Sequence, residues 1–100
     1  MTDISHPEDQ YAAVVLRAFV RHGRLTAIPA QQRKKEVVLL FLLDACFADD
    51  RDYPEPEVNE RLRQYHEDVA ALRRYLVDAR LMTRTAGVYR RAVGQPRPEV

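Results

Sequence analysis

The sequence contains no tryptophan, one cysteine and three glycines. A lone Cys46 has no partner for an internal disulfide, so the fold must hold without one, as it would in a reducing compartment. So few glycines leave no glycine-rich loop to cradle phosphate. His6, His22 and His66 fall in three separate elements, none at ligand spacing from another or from Cys46, so no zinc motif is present. Asp49, Asp50 and Asp52 lack the glycine and the distal glutamate that a calcium loop needs, and read as a solvated loop. The longest apolar run, Val37–Leu43, falls far short of the ~18–20 residues that cross a bilayer. The N-terminus lacks the basic-then-apolar pattern of an export signal. These absences predict a cytoplasmic protein that is not an enzyme, with no cofactor, no metal and no membrane.

An excess of one charge is missing too. The net charge is +1, which alone announces no polyanionic partner. Its distribution is less even. From Ala79 onward Arg80, Arg84, Arg90, Arg91 and Arg97 face a single acid, Glu99, whereas Tyr53–Asp78 is slightly acidic. The positive field therefore belongs to the C-terminal segment.

What is present suffices for one core. One hundred residues, 46% of them hydrophobic, match a single domain that buries roughly 60–70% of its unfolded surface. Ser5 and Glu8 match a capping box, and Ala12, Val15, Leu16 and Phe19 share one helical face. A helix over about 5–22 follows, with Gly23 as its left-handed stop. Pro29 holds Ile28 away from helical dihedrals, so Leu25–Ile28 reads as an edge strand. The next helix, Ala30–Phe47, opens on Gln31, Gln32, Arg33, Lys34 and Lys35. Cations in first turns oppose the macrodipole; they serve either a partner or, as charge runs usually do, solvation. Val37–Phe47 is apolar nearly all round and must be covered on several sides. The remaining side is either core or a dimer contact. Cys46 lies inside this run, where burial makes a thiol inert.

Tyr53–Arg91 is the most informative stretch. Pro54 and Pro56 open a helix with Val58, Leu62 and Tyr65 on one stripe, and a second helix carries Val69, Leu72, Leu76 and Ala79. Leu81–Arg84 and Val88–Arg91 then form strands around Thr85-Ala86-Gly87, with one of Val88 and Tyr89 packed beneath. His66, in the turn between the helices, is expected to bond backbone. Two helices at helix-turn-helix spacing followed by a basic hairpin outline a winged helix, a fold that most often binds duplex DNA. The predicted fold class is mainly α (α+β): a winged helix-turn-helix with an extra N-terminal helix and a small antiparallel hairpin wing, the sheet two- or three-stranded. One domain spans 1–91, with the helix-turn-helix at about 55–80 and the wing at about 81–91. Residues 92–100, with Gly94, Pro96 and Pro98, read as a flexible tail.

In such a reader the second helix enters the major groove. Its outward set is Glu67, Asp68, Ala70, Ala71, Arg73, Arg74 and Asp78. Arg73 and Arg74 carry the donor fork that reads guanine or clamps phosphate, and Ala70 permits close approach. Thr83, Arg84, Thr85, Arg90 and Arg91 put donors on the wing for phosphate. The same arginines could instead pair with acids of their own chain, and Glu67 and Asp68 would repel phosphate. The expected partner is double-stranded DNA. A homodimer or a protein partner on the same scaffold is the competing expectation, favoured by the near-neutral charge and the apolar Val37–Phe47 helix.

Gly23-Arg24-Leu25-Thr26-Ala27-Ile28-Pro29-Ala30, Arg33-Lys34-Lys35, Tyr53-Pro54-Glu55 and Glu57-Val58-Asn59 resemble the bacterial domain-of-unknown-function family 2087. The likeness continues through Tyr65-His66-Glu67-Asp68, Leu72-Arg73-Arg74-Tyr75-Leu76-Val77-Asp78 and Gly87-Val88-Tyr89-Arg90-Arg91. Where that family usually has an aromatic after the hairpin tyrosine, this chain has Arg90, and its helix has no tryptophan. The resemblance implies a regulatory setting: members are often transcriptional-regulator-like, and some resemble a domain appended to an ArsR-type winged helix. No catalytic residues carry over.

Overall fold

The computed structural model describes residues 7–92, with side chains from Gln10 onward. The Ser5 cap and the 93–100 tail lie outside the described residues. Within them the chain is a small α+β domain of four helices and two antiparallel sheets.

Helix α1 runs Pro7–Phe19 and turns its Val15 side onto the core. It ends earlier than expected because the chain enters a hairpin, β1 (Val20–Arg21) with β2 (Arg24–Leu25). His22 and Gly23 both have positive φ, 54° and 77°, as a two-residue primed turn requires. Gly23 thus serves the hairpin rather than a helix stop, and the expected edge strand contracts to Arg24–Leu25. That hairpin docks on the turn that follows the third helix. The Leu25 N–H donates to the Tyr65 carbonyl at 2.8 Å, and Arg24 Nη1 donates to the carbonyls of Arg63 and Gln64.

Helix α2 (Gln32–Cys46) is the centre of the core, burying Val38, Leu39, Leu42, Leu43 and Cys46. Each fully buried leucine contributes about 1.5–3 kcal/mol by leaving water. Beyond it Phe47 and Tyr53 pack edge to face, centroids 5.0 Å apart. The Tyr53 hydroxyl donates to the Asp49 carbonyl at 2.9 Å, which fixes the acidic loop.

After β3 (Tyr53–Pro54) come α3 (Glu55–Arg63) and α4 (Val69–Asp78). Pro54 precedes α3 in an extended conformation, where its missing N–H costs nothing. Asp68 caps α4 by accepting the Ala71 N–H at 3.2 Å. His66 meets its expectation: its Nδ1 accepts the Asp68 N–H at 3.0 Å. The hairpin β4 (Met82–Thr85) and β5 (Val88–Arg91) turns at Ala86-Gly87, so Thr85 is strand rather than loop. β5 lies between β3 and β4, pairing Tyr53 with Tyr89 and Met82 with Arg91. Among the described residues no helix is long and apolar enough to cross a membrane.

Candidate functional site

The face built by α4, the start of α3 and the hairpin holds most of the residues singled out from the sequence. Val69, Leu72 and Leu76 are buried as expected, but so is Ala71, so α4 sinks over a wider arc than one stripe. Ala70 and Arg74 form its exposed ridge.

On one flank of that ridge Arg73 turns back into the molecule. Its Nε donates to the Tyr89 hydroxyl at 3.1 Å, its Nη1 to the Asn59 side-chain carbonyl, and its Nη2 lies 3.7 Å from Glu55. Its side chain is only 20% exposed, so the expected groove contact is corrected to a strut joining α3, α4 and β5. Glu55 also faces Arg84, at 3.8 Å, but that side chain is 57% exposed and remains open to a partner. Thr83 and Thr85 are exposed on the same hairpin.

The basic wing is smaller than expected. Arg90 reaches Asp52 at 3.0 Å and Asp50 at 3.3 Å, so the acidic loop already neutralises it. Arg91 is buried, and its expected phosphate contact is overturned. Its Nη1 donates to the carbonyls of Leu43 and Phe47 at 3.2 and 3.0 Å, and its Nη2 bonds Asp44 at 3.3 Å. The cause is strand alternation: Tyr89 points inward, so Arg91, two residues on, does as well. There it supplies donors and positive charge to the C-terminal end of α2, joining the Phe47 N–H on the Leu43 carbonyl and reaching the Phe47 carbonyl just past the helix.

On the other flank the structure brings together residues that the sequence had kept apart. Lys35 Nζ sits 4.0 Å from the centre of the Tyr75 ring, and the Arg74 guanidinium lies 5.3 Å from the same ring. Neither cation makes an ion pair with a described residue. Lys35, read above as part of a solvated helix opening, thus joins the ridge of α4. The signal in the sequence was weak: Lys35 precedes the apolar run, and Tyr75 follows Arg74 on the side of α4 that turns to α2.

Cys46 is the one described thiol. Burial pushes its pKa up to about 11, against a smaller opposing pull from Arg61, and its Sγ rests 3.7 Å from the Arg61 carbonyl. That is an unreactive thiol at neutral pH. Among the described residues no group of three or more histidine, cysteine, aspartate or glutamate side chains is placed to hold a metal ion.

No curated protein and no solved structure matches the chain. Residues 24–91 match the family described as an uncharacterized protein conserved in bacteria, DUF2087, so the match covers the second hairpin, the α4 ridge and Lys35 alike, and the chain belongs to that family.

Proposed function

We propose that this is a winged-helix domain that contacts duplex DNA, laying the Ala70–Arg74 ridge of α4 in the major groove. The order helix, strand, helix, helix, strand, strand from α2 to β5 supports the fold reading, as does a sheet in which β5 lies between β3 and β4. The hairpin then becomes the wing beside the reading helix. The single observation that carries the DNA reading is the gathering of Lys35 and Arg74 around Tyr75. Two cations with no acid partner among the described residues, on the border of an exposed ridge, are suited to phosphate contact. Arg84 and Thr85 serve phosphate from the wing side, while Arg73 fixes the angle between wing and helix.

The test is fluorescence anisotropy on mixed-sequence duplex at low salt and again at about 0.2 M salt, where affinity for a polyanion falls steeply. Arg74→Glu and Lys35→Glu are each expected to weaken binding and to lower the log–log salt slope by about one contact. Arg90→Gln is expected to change little, since Asp50 and Asp52 already hold that side chain.

A second reading, a protein-interaction module on the same scaffold, is favoured by one observation. Arg73, Arg84, Arg90 and Arg91 all have acidic neighbours within the chain. Absence of duplex binding at low salt would decide for it.

A further inference from the structure

One side of α2 remains uncovered among the described residues. Opposite its buried face, the helix lines an open groove of about 840 Å³ whose other wall is α1. Tyr11, Ala12 and Leu16 come from α1; Val37, Leu40 and Phe41 come from α2. Leu40 is 43% exposed, a large apolar side chain standing in water. Arg33, stacked 3.9 Å from the Tyr11 ring centre, marks one end of the groove, and Asp44 marks the other.

From this groove we infer that the chain forms a two-fold homodimer, α2 packing antiparallel on α2 of a second copy. The occupant follows from the symmetry of the stripe itself. Arg33, Val37, Leu40 and Asp44 recur at alternating four- and three-residue steps, the spacing of a helix–helix seam. The seam is centred between Val38 and Leu39. Val37 and Leu40 flank that centre equally, and Arg33 and Asp44 stand equally far out with opposite charge. A two-fold axis through the centre sets each Val37 against the other copy's Leu40, and each Arg33 against the other copy's Asp44. Such self-complementarity is what an isologous contact requires, each residue meeting its counterpart twice over.

Asp44 can serve both partners. Its Oδ1 bonds Arg91 within the chain, but the side chain is 49% exposed and presents its outer edge to solvent. The extent of the face sets the strength. Two helices side by side, each ~10 Å wide and α2 about 22 Å long, give a footprint below the ~800 Å² per partner of a standard interface. The dimer is therefore concentration-dependent, with a dissociation constant on the order of micromolar. The contact stands apart from the DNA reading, since it uses the side of α2 that faces away from α4.

Sedimentation velocity of the full chain over about 1–300 μM brackets that range. The wild type is expected to pass from monomer to dimer, and Leu40→Glu to remain a monomer throughout. Arg33→Glu sets like charges against each other at both ends of the seam and is expected to weaken the dimer about tenfold, more at low salt. Circular dichroism melting of both variants checks that these exposed positions leave the fold intact. A wild type that stays monomeric to the highest concentration overturns the dimer, whether the groove is then filled by the chain's own 93–100 segment or by another protein. A Leu40→Glu variant that dimerises like the wild type overturns the assigned face.

Discussion

Arg91 shows how a single side chain changes meaning with its strand register. Read as one of a run of basic residues, it belongs with Arg90 on a phosphate-binding wing. Read from Tyr89 by strand alternation, it belongs inside, and Arg90 outside, as the structure has them. The alternation was present in the sequence; charge patterning outweighed it there because arginine is so seldom fully buried. Buried, its guanidinium serves two carbonyls at the end of α2 and the Asp44 carboxylate. Arg61 adds a third donor there, bonding the Cys46 carbonyl at 2.9 Å. Arg91→Ala would take the guanidinium donor from the Phe47 carbonyl, leave the Leu43 carbonyl with the Phe47 N–H alone and open a void, a loss of about 2–4 kcal/mol by the usual cost of such groups. Urea unfolding reads it directly. A loss below about 1 kcal/mol would mean that water replaces the guanidinium and that the side chain is not structural.

At the scale of elements, the order of helices and the second hairpin were legible because each rests on a strong local signal: apolar periodicity for α1, α3 and α4, a long apolar run for α2, alternation and Gly87 for β4 and β5. Two elements were not. β3 is only two residues long, and Pro54 within it reads equally well as the opening of a helix, which it also is. β1 and its pairing with β2 escaped because a positive-φ glycine after a helix serves a stop or a hairpin alike, and only the pairing of Val20 with Leu25 decides. Both hairpins turn through two residues of positive φ, the first central residue being His22 in one and Ala86 in the other. Alanine is poorly suited there, since its Cβ crowds the carbonyl oxygen, at a cost of about 1–2 kcal/mol. Asparagine tolerates that conformation and favours this turn. Ala86→Asn should therefore raise stability by roughly 0.5–1 kcal/mol, seen as a higher melting temperature. An unchanged or lower melting temperature would argue that the turn relaxes to another geometry.

For the whole molecule, the near-zero net charge describes a lattice of internal pairs more than a choice of partner. Acids of the α2 end, the 48–52 loop and the start of α3 meet arginines of α4, β4 and β5: Asp44 with Arg91, Asp50 and Asp52 with Arg90, Glu55 with Arg73 and Arg84. These pairs tie sheet to helices, which is why so few wing arginines remain for a polyanion and why the candidate site moved toward Lys35 and Arg74. A separate knot of charge is Glu57, which takes Arg51 at 2.6 Å and Arg61 at 2.9 Å, with Arg51 stacked on Tyr53. Its hydrogen bond from Arg51 is the largest influence and lowers its pKa; desolvation pushes the other way, and the bond from Arg61 with the two nearby guanidinium charges leaves the net shift downward. A carboxyl with a lowered pKa in the folded state binds protons less readily than in the unfolded chain. Its stabilising contribution is complete above the ordinary carboxylate range and falls away as pH drops through the folded-state pKa. Glu57→Gln removes that titration while keeping the shape. The wild type should exceed the variant in urea midpoint near pH 7, and the gap should begin to narrow as the pH falls below about 4.3, the reference value for glutamate, and close below the folded-state pKa. A gap that persists undiminished in acid would mean that Glu57 stabilises the fold through its hydrogen-bonding shape and not through its charge.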